Sequence, residues 1–477
     1  MAALLLGGAM APVFAADVKN LSVTVSSGTQ ANAYGGYTIE EGASALQNAL
    51  TLSGPAKVLG ASAGSWSRWG NAEWNTLTIR LDEDGLLGPS DIVGGGVAES
   101  EGGGAAVHNT VYIESGTVEG TVEGGVAVGI NGVGDGTGDV LSNQVTMSGG
   151  TVYSVFGGET GEGNANDNVV TIKGSAAVTG KSNAVYGGYT IDGNASGNIV
   201  NIEDDADIHG EIMGGYTRAG SLISGNKVNV TGGNVNENTV YGVYTAYGDV
   251  LDNQAVIKGT GQAGSSDTNS VYAGFTNIGA AAGNILYIQD SAEIAGSAFA
   301  GYQGGFISSE TVERNQVFMS GGSVGGDLTG GGSNNGGETL NNYVEITGGT
   351  VSGNVYSGFT DSADALENTL TVAGGRVEGS LFGGYSNTGT ANENKLTFSA
   401  GTAGSDAYGG YAQEGADGNE AVLSGTSVLE GNAAGGSSAR GEASGNSLTI
   451  KENSEVKGDA AGGDVYMGTI SKNIITI

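Results

Sequence analysis

The sequence predicts an all-β chain wound as a single-stranded parallel β-solenoid of about sixteen coils, each of ~27 residues. Three observations point there. A frame of Asn-x-apolar-x-apolar recurs along the chain, a second element of aromatic-Gly-Gly-aromatic recurs between its copies, and the 477 residues include 93 Gly, 3 Pro and no Cys.

The frame opens at Asn48, Asn75, Asn109, Asn143, Asn168, Asn198, Asn226, Asn253 and Asn284, and again at Asn315, Asn342, Asn368, Asn394, Asn419, Asn446 and Asn473. The residues two and four after each Asn are apolar, as in Val200 and Ile202 or Leu396 and Phe398. Successive copies lie 25 to 34 residues apart, most often 26 or 27. Alternation with period two marks a strand with one buried face. So short a strand buries that face only if each unit stacks on the next. The Asn suits a corner, because it tolerates the left-handed backbone region and its amide caps neighbouring groups. Stacked asparagines can also form hydrogen-bonded ladders. Sixteen coils at a spacing of ~4.8 Å give a rod ~75 Å long.

The second element reads Tyr34-Gly-Gly-Tyr37, Tyr186-Gly-Gly-Tyr189, Phe382-Gly-Gly-Tyr385 and Tyr408-Gly-Gly-Tyr411, with variants such as Tyr272-Ala-Gly-Phe275 and Tyr356-Ser-Gly-Phe359. Gly-Gly suits a corner with positive φ or a close backbone approach. Residues three apart on a flat strand face opposite ways, so one aromatic of each pair is expected inside and its partner in an exposed column. Other repeats fit less well. A propeller blade needs ~40 residues, leucine-rich repeats need Leu at fixed positions, and the glycine content excludes helical solenoids.

The charge balance narrows function. Fifty acidic residues face sixteen basic ones, a net charge of −34. Such a surface repels phosphate backbones and anionic membranes, so no nucleic-acid partner is expected. The absence of Cys removes disulfide and thiolate chemistry. At the N-terminus, an apolar run from Leu4 to Phe14 ends in Ala15-Ala16 before Asp17. It reads as a signal peptide over residues 1–16 whose basic n-region is missing, with the repeats filling 17–477.

Candidate chemistry is sparse. His209 lies in Glu203-Asp-Asp-Ala-Asp-Ile-His209, which fits a cation site or carboxylate pair but matches better the solvated turn of other repeats. His108 precedes a frame Asn and is expected at a corner. Asp135-Gly-Thr-Gly-Asp139 is a single imperfect copy of a calcium-binding turn that works only in tandem. Trp66, Trp69 and Trp74 fall together and offer indole faces for sugar contact, or cover the apolar end of the first coils. No nucleophile elbow, phosphate loop, zinc signature or dinucleotide fingerprint occurs, and no catalytic residue, cofactor or metal is expected.

The signal ending at Phe14-Ala-Ala16, the lack of Cys and the two repeated motifs resemble the passenger region of bacterial autotransporter adhesins. The resemblance covers essentially the whole chain after residue 16. It implies a right-handed β-helix displayed on the surface of a Gram-negative bacterium, acting as an adhesin or stalk toward a host or bacterial surface glycan or protein. It also implies a C-terminal outer-membrane barrel, whose alternating strands are not present here. The chain stops at Ile477, directly after the frame that opens at Asn473, so further coils, a cap or the barrel are expected to follow. Two other readings are a polysaccharide-acting β-helix enzyme and a self-assembling surface-layer component. The even units and sparse basic residues speak against the enzyme.

Overall fold

The computed structural model describes residues 17–477 apart from 89–91, 100–102, 130–134, 183, 237, 265–269, 306–308 and 335. The proposed signal peptide therefore lies outside the described residues. Among the described residues there is no α-helix, and the strands pair in parallel. They form a β-solenoid in each of two compact units, one running to Asn238 and the other from Thr239 to Ile477.

A coil of the N-terminal unit shows how the motifs become structure. The frame strand Val169–Ile172 is followed by a middle strand, Ala177–Val178, and an aromatic strand, Val185–Thr190. Each pairs in register with its counterpart one coil later: Val169 with Ile199, Ala177 with Asp207, Val185 with Ile212. The inward residues Val170, Ile172, Val178 and Val185 are fully buried. The C-terminal unit repeats the plan with Gln316–Met319, Ser323–Val324 and Leu328–Ser333 stacking on Tyr343–Ile346, Thr350–Val351 and Val355–Thr360. Its core column is Val317, Met319, Val324 and Leu328. Two-residue bridges such as Ala165–Asn166 and Val312–Glu313 stack just before the frame Asn.

The frame asparagines build a ladder in the core. Asn75 donates from both its backbone N and its Nδ2 to Oδ1 of Asn109, at 3.0 and 2.9 Å. Its other Nδ2 hydrogen goes to the carbonyl of Ala45 at 2.9 Å. Asn315 repeats this with Asn342 Oδ1 at 3.0 Å and Ala281 O at 2.8 Å. The same pattern joins Asn143, Asn168 and Asn198 in the first unit and Asn342, Asn368, Asn394 and Asn419 in the second. These amides are at most 1 % exposed. In the first coil Leu21 takes the ladder position, and its N–H donates to Asn48 Oδ1 at 3.0 Å.

The expectation that the ladder Asn itself adopts the left-handed region is corrected. The residue before it does, as at Gln47, Trp74, His108, Ser142, Asp167, Arg314, Glu367 and Glu393, where φ lies between 54° and 58°. The chain turns at that residue, exposed in all of these but the half-buried Ser142, so that the amide after it can enter the core. Gly197, Gly225, Gly418 and Gly445 fill the same place with positive φ.

The Gly-Gly pairs are corrected in part: those of the aromatic strands do not have positive φ. They serve close approach. A Cβ on Gly384 would collide with the amide of Asn394, and one on Gly358 with Asn368. A Cβ on the preceding Gly383 would meet the backbone of Gly409 in the next coil. The glycines thus make room for the ladder and for the neighbouring strand.

Candidate binding face

The aromatic strands carry the most distinctive outward surface of both units. The expectation that the two aromatics of a pair face opposite ways is corrected, since they touch each other on one side, as Tyr34 and Tyr37 do at 5.2 Å with both half-buried; the first ring is nonetheless buried in some pairs, Tyr186 at 1 % and Phe382 at 8 % exposure. The register explains it. Tyr34 pairs with Ala63 and Gly36 with Ser65 without a shift of register, while Gly35 lies outside the ladder, so strict alternation breaks there and residues three apart come onto one side.

Two aromatic columns result. In the C-terminal unit, rings stack between coils: Tyr241 on Tyr272 at 5.3 Å and 10°, Tyr272 on Phe299 at 4.9 Å and 8°, Tyr356 on Phe382 at 5.0 Å and 6°. In the second column Tyr244 stacks on Phe275, and Phe359, Tyr385 and Tyr411 stack in turn. Within one coil the pair meets edge to face, as Phe382 and Tyr385 do at 79°. In the N-terminal unit Phe156, Tyr189 and Tyr216 stack, with Tyr186 edge-on to each. Thr329 and Gly332 interrupt the columns, and Tyr302 tilts to 50° against Tyr272 beside that interruption. Burial raises the phenols of Tyr34 and Tyr189 to about 12, with neighbouring tyrosines adding to the shift, so these rings stay neutral hydrogen-bonding groups.

The hydroxyl that follows most pairs, as in Tyr189-Thr190 and Tyr385-Ser386, with Gln303 and Ala412 in its place in two coils, was not singled out in the sequence. It closes the next loop: Thr190 Oγ1 donates to Gly163 O at 2.8 Å and accepts from Gly193 N at 3.1 Å. Ser386 Oγ does the same with Ala363 O and Gly389 N. The recurrence of Tyr-Thr or Phe-Thr at 37–38, 216–217, 275–276 and 359–360 is the signal that could have shown it.

A buried acid pair also escaped the sequence reading. Glu123 sits in the aromatic slot of its coil, paired with Phe156, and Glu159 in the slot paired with Val126 and Tyr189. Glu123 is 1 % exposed. A hydrogen bond links the two carboxyl groups, which requires a proton on one of them. Burial pushes Glu159 up from 4.5 to about 7. The legible sign was Glu in place of an aromatic in Glu123-Gly-Gly-Val126 and Phe156-Gly-Gly-Glu159.

The three tryptophans occupy separate neighbourhoods. Trp66 lies on an aromatic strand, edge-on to Tyr34 at 5.7 Å, packed on Ala63, Val97 and Val126, and donates from Nε1 to Glu99 Oε2 at 3.0 Å. Trp69 sits under the guanidinium of Arg68, 5.9 Å from the ring centre. Trp74 is the left-handed corner residue before Asn75, and it stacks on His108 at 4.1 Å.

His209 is exposed and 3.0 Å from Asp207. Its acidic neighbours form a turn in which Asp204, with φ of 56°, accepts from Gly174 N of the preceding coil at 3.1 Å. Asp139 accepts from the backbone N of Asn164 at 2.8 Å, and Gly136 and Gly138 accept from Thr160 Oγ1.

No family model matches the chain, and neither a curated protein nor a solved structure matches it.

Proposed function

We propose that the chain is the β-helix passenger of an autotransporter-type protein, exported to the surface of a Gram-negative bacterium and acting there by adhesion or as a structural stalk, without turnover. The observation that carries this reading is the recurrent side-by-side aromatic surface, stacked from coil to coil in runs such as Tyr356 to Phe382 and Tyr385 to Tyr411, on coils whose interior is filled by apolar columns and an asparagine ladder. The outward face is thus built for contact along its length. Its polar groups serve mainly to satisfy the backbone of adjacent coils, as Thr190 and Asp204 do.

The test is an array of glycans and matrix proteins probed with the purified chain, alongside polysaccharides followed for new reducing ends or unsaturated products. Capture without product supports adhesion. Product from any polysaccharide overturns the non-enzymatic reading. Surface proteolysis of cells expressing the natural gene tests display: a chain protected in intact cells overturns it.

A further inference from the structure

We infer that the aromatic face of the C-terminal unit docks a cationic, extended polypeptide segment. This rests on the adhesive reading above and names its partner class. The face runs over the strands Val355–Thr360, Leu381–Ser386 and Ala407–Ala412, whose rings are stacked on one another between coils. Stacking takes up the ring faces and turns edges and phenol hydroxyls outward, so a sugar ring finds little flat aromatic surface to lie on.

The margins of the face are acidic. Asp406 stands two residues before the aromatic Tyr408, whose Oη donates to Asp406 Oδ2 at 3.2 Å, and Asp327 holds the same position on the coil before Val355–Thr360, where Thr329 fills the aromatic slot, and accepts from Asn354 N at 2.7 Å. Asp361 follows the second aromatic and accepts from Asn387 Nδ2 at 2.8 Å. No Lys or Arg stands on any of the three strands. Among the described residues, the ion pairs of this unit leave out Asp327, Asp361 and Asp406. An anionic glycan therefore meets like charge. A basic segment meets carboxylate and phenol acceptors on both sides and apolar ring edges between them, along which Lys and Arg stems can lie.

The experiment uses the full chain and a short arginine–alanine repeat peptide at low salt, with heparin and a neutral oligosaccharide as parallel probes. One variant carries Asp327→Asn, Asp361→Asn and Asp406→Asn. The fold tolerates amides here, because Asn354 and Asn432 occupy the same column as Asp327 and Asp406 and cap the same backbone groups. A control removes equal charge outside the aromatic strands, at the corner residues through Glu367→Gln and Glu393→Gln and on a frame strand through Glu420→Gln. The expected result is peptide binding weakened about tenfold by the first set and less than about twofold by the control. Equal weakening by both sets overturns the site. Capture of heparin or the neutral sugar with the peptide silent also overturns it while leaving the adhesive reading intact. Turnover of a polysaccharide strikes the adhesive reading and not the peptide measurement.

Discussion

The Asn315 side chain makes four hydrogen bonds in the core, two accepted from Asn284 and one each donated to Ala281 O and Asn342 Oδ1, so its loss is felt in the coils on both sides. Replacing Asn315 by Ala leaves the backbone N and Nδ2 of Asn284 without their shared acceptor and Ala281 O without its donor. We expect a cost of about 3 kcal/mol. It should be read by native-state hydrogen exchange over Ile285–Ile288 and Gln316–Met319, because stacked units open locally before they melt together. Exchange unchanged from the parent would show that the ladder is dispensable.

The buried acid pair gives a pH-dependent effect of definite sign. Burial raises the Glu159 carboxyl from 4.5 to about 7, so the folded pair holds a proton that the unfolded chain releases between those values. Stability is greatest below that interval and falls as pH rises through it. Glu159→Gln should therefore be more stable than the parent at about pH 8 and no more stable at about pH 4, in thermal melts at both. A gain of equal size at both pH values would rule out titration as the cause.

The aromatic strand depends on two glycines with different tasks. The first faces the next coil's backbone, and Ala273, Ala300 and Ser357 stand in that slot elsewhere. The second faces the ladder amide. Gly384→Ala should then cost about 1–3 kcal/mol and more than Gly383→Ala, measured by denaturant melts of the two variants. Val243 and Ser65 occupy the second slot in their own strands, so the rule is one of strong preference that particular coils evade.

For the chain as a whole, 50 acidic against 16 basic residues create self-repulsion that no core contact relieves. Raising the ionic strength to about 0.5 M screens it and should raise the melting temperature, as followed by circular dichroism in the β region. A melting temperature that falls with salt would mean that the described ion pairs, such as Arg80–Glu114 and Lys457–Glu430, outweigh the repulsion.

Periodicity made the architecture legible. Asn-x-apolar-x-apolar places two side chains inward on every frame strand, and stacking is the arrangement that buries so short a strand. That is why Val170, Ile172, Val317 and Met319 could be assigned to the core from spacing alone. Three features could not be read this way. The left-handed position fell on Gln47, Trp74 or Glu393 rather than on the Asn, because entry of the amide into the core decides which residue must turn. The paired aromatics came to one side because the glycines leave a residue unpaired, and period-two counting assumes that none is. Glu123 and Glu159 met because the register brings adjacent coils together across about thirty residues, a proximity that exists only once the chain has wound onto itself.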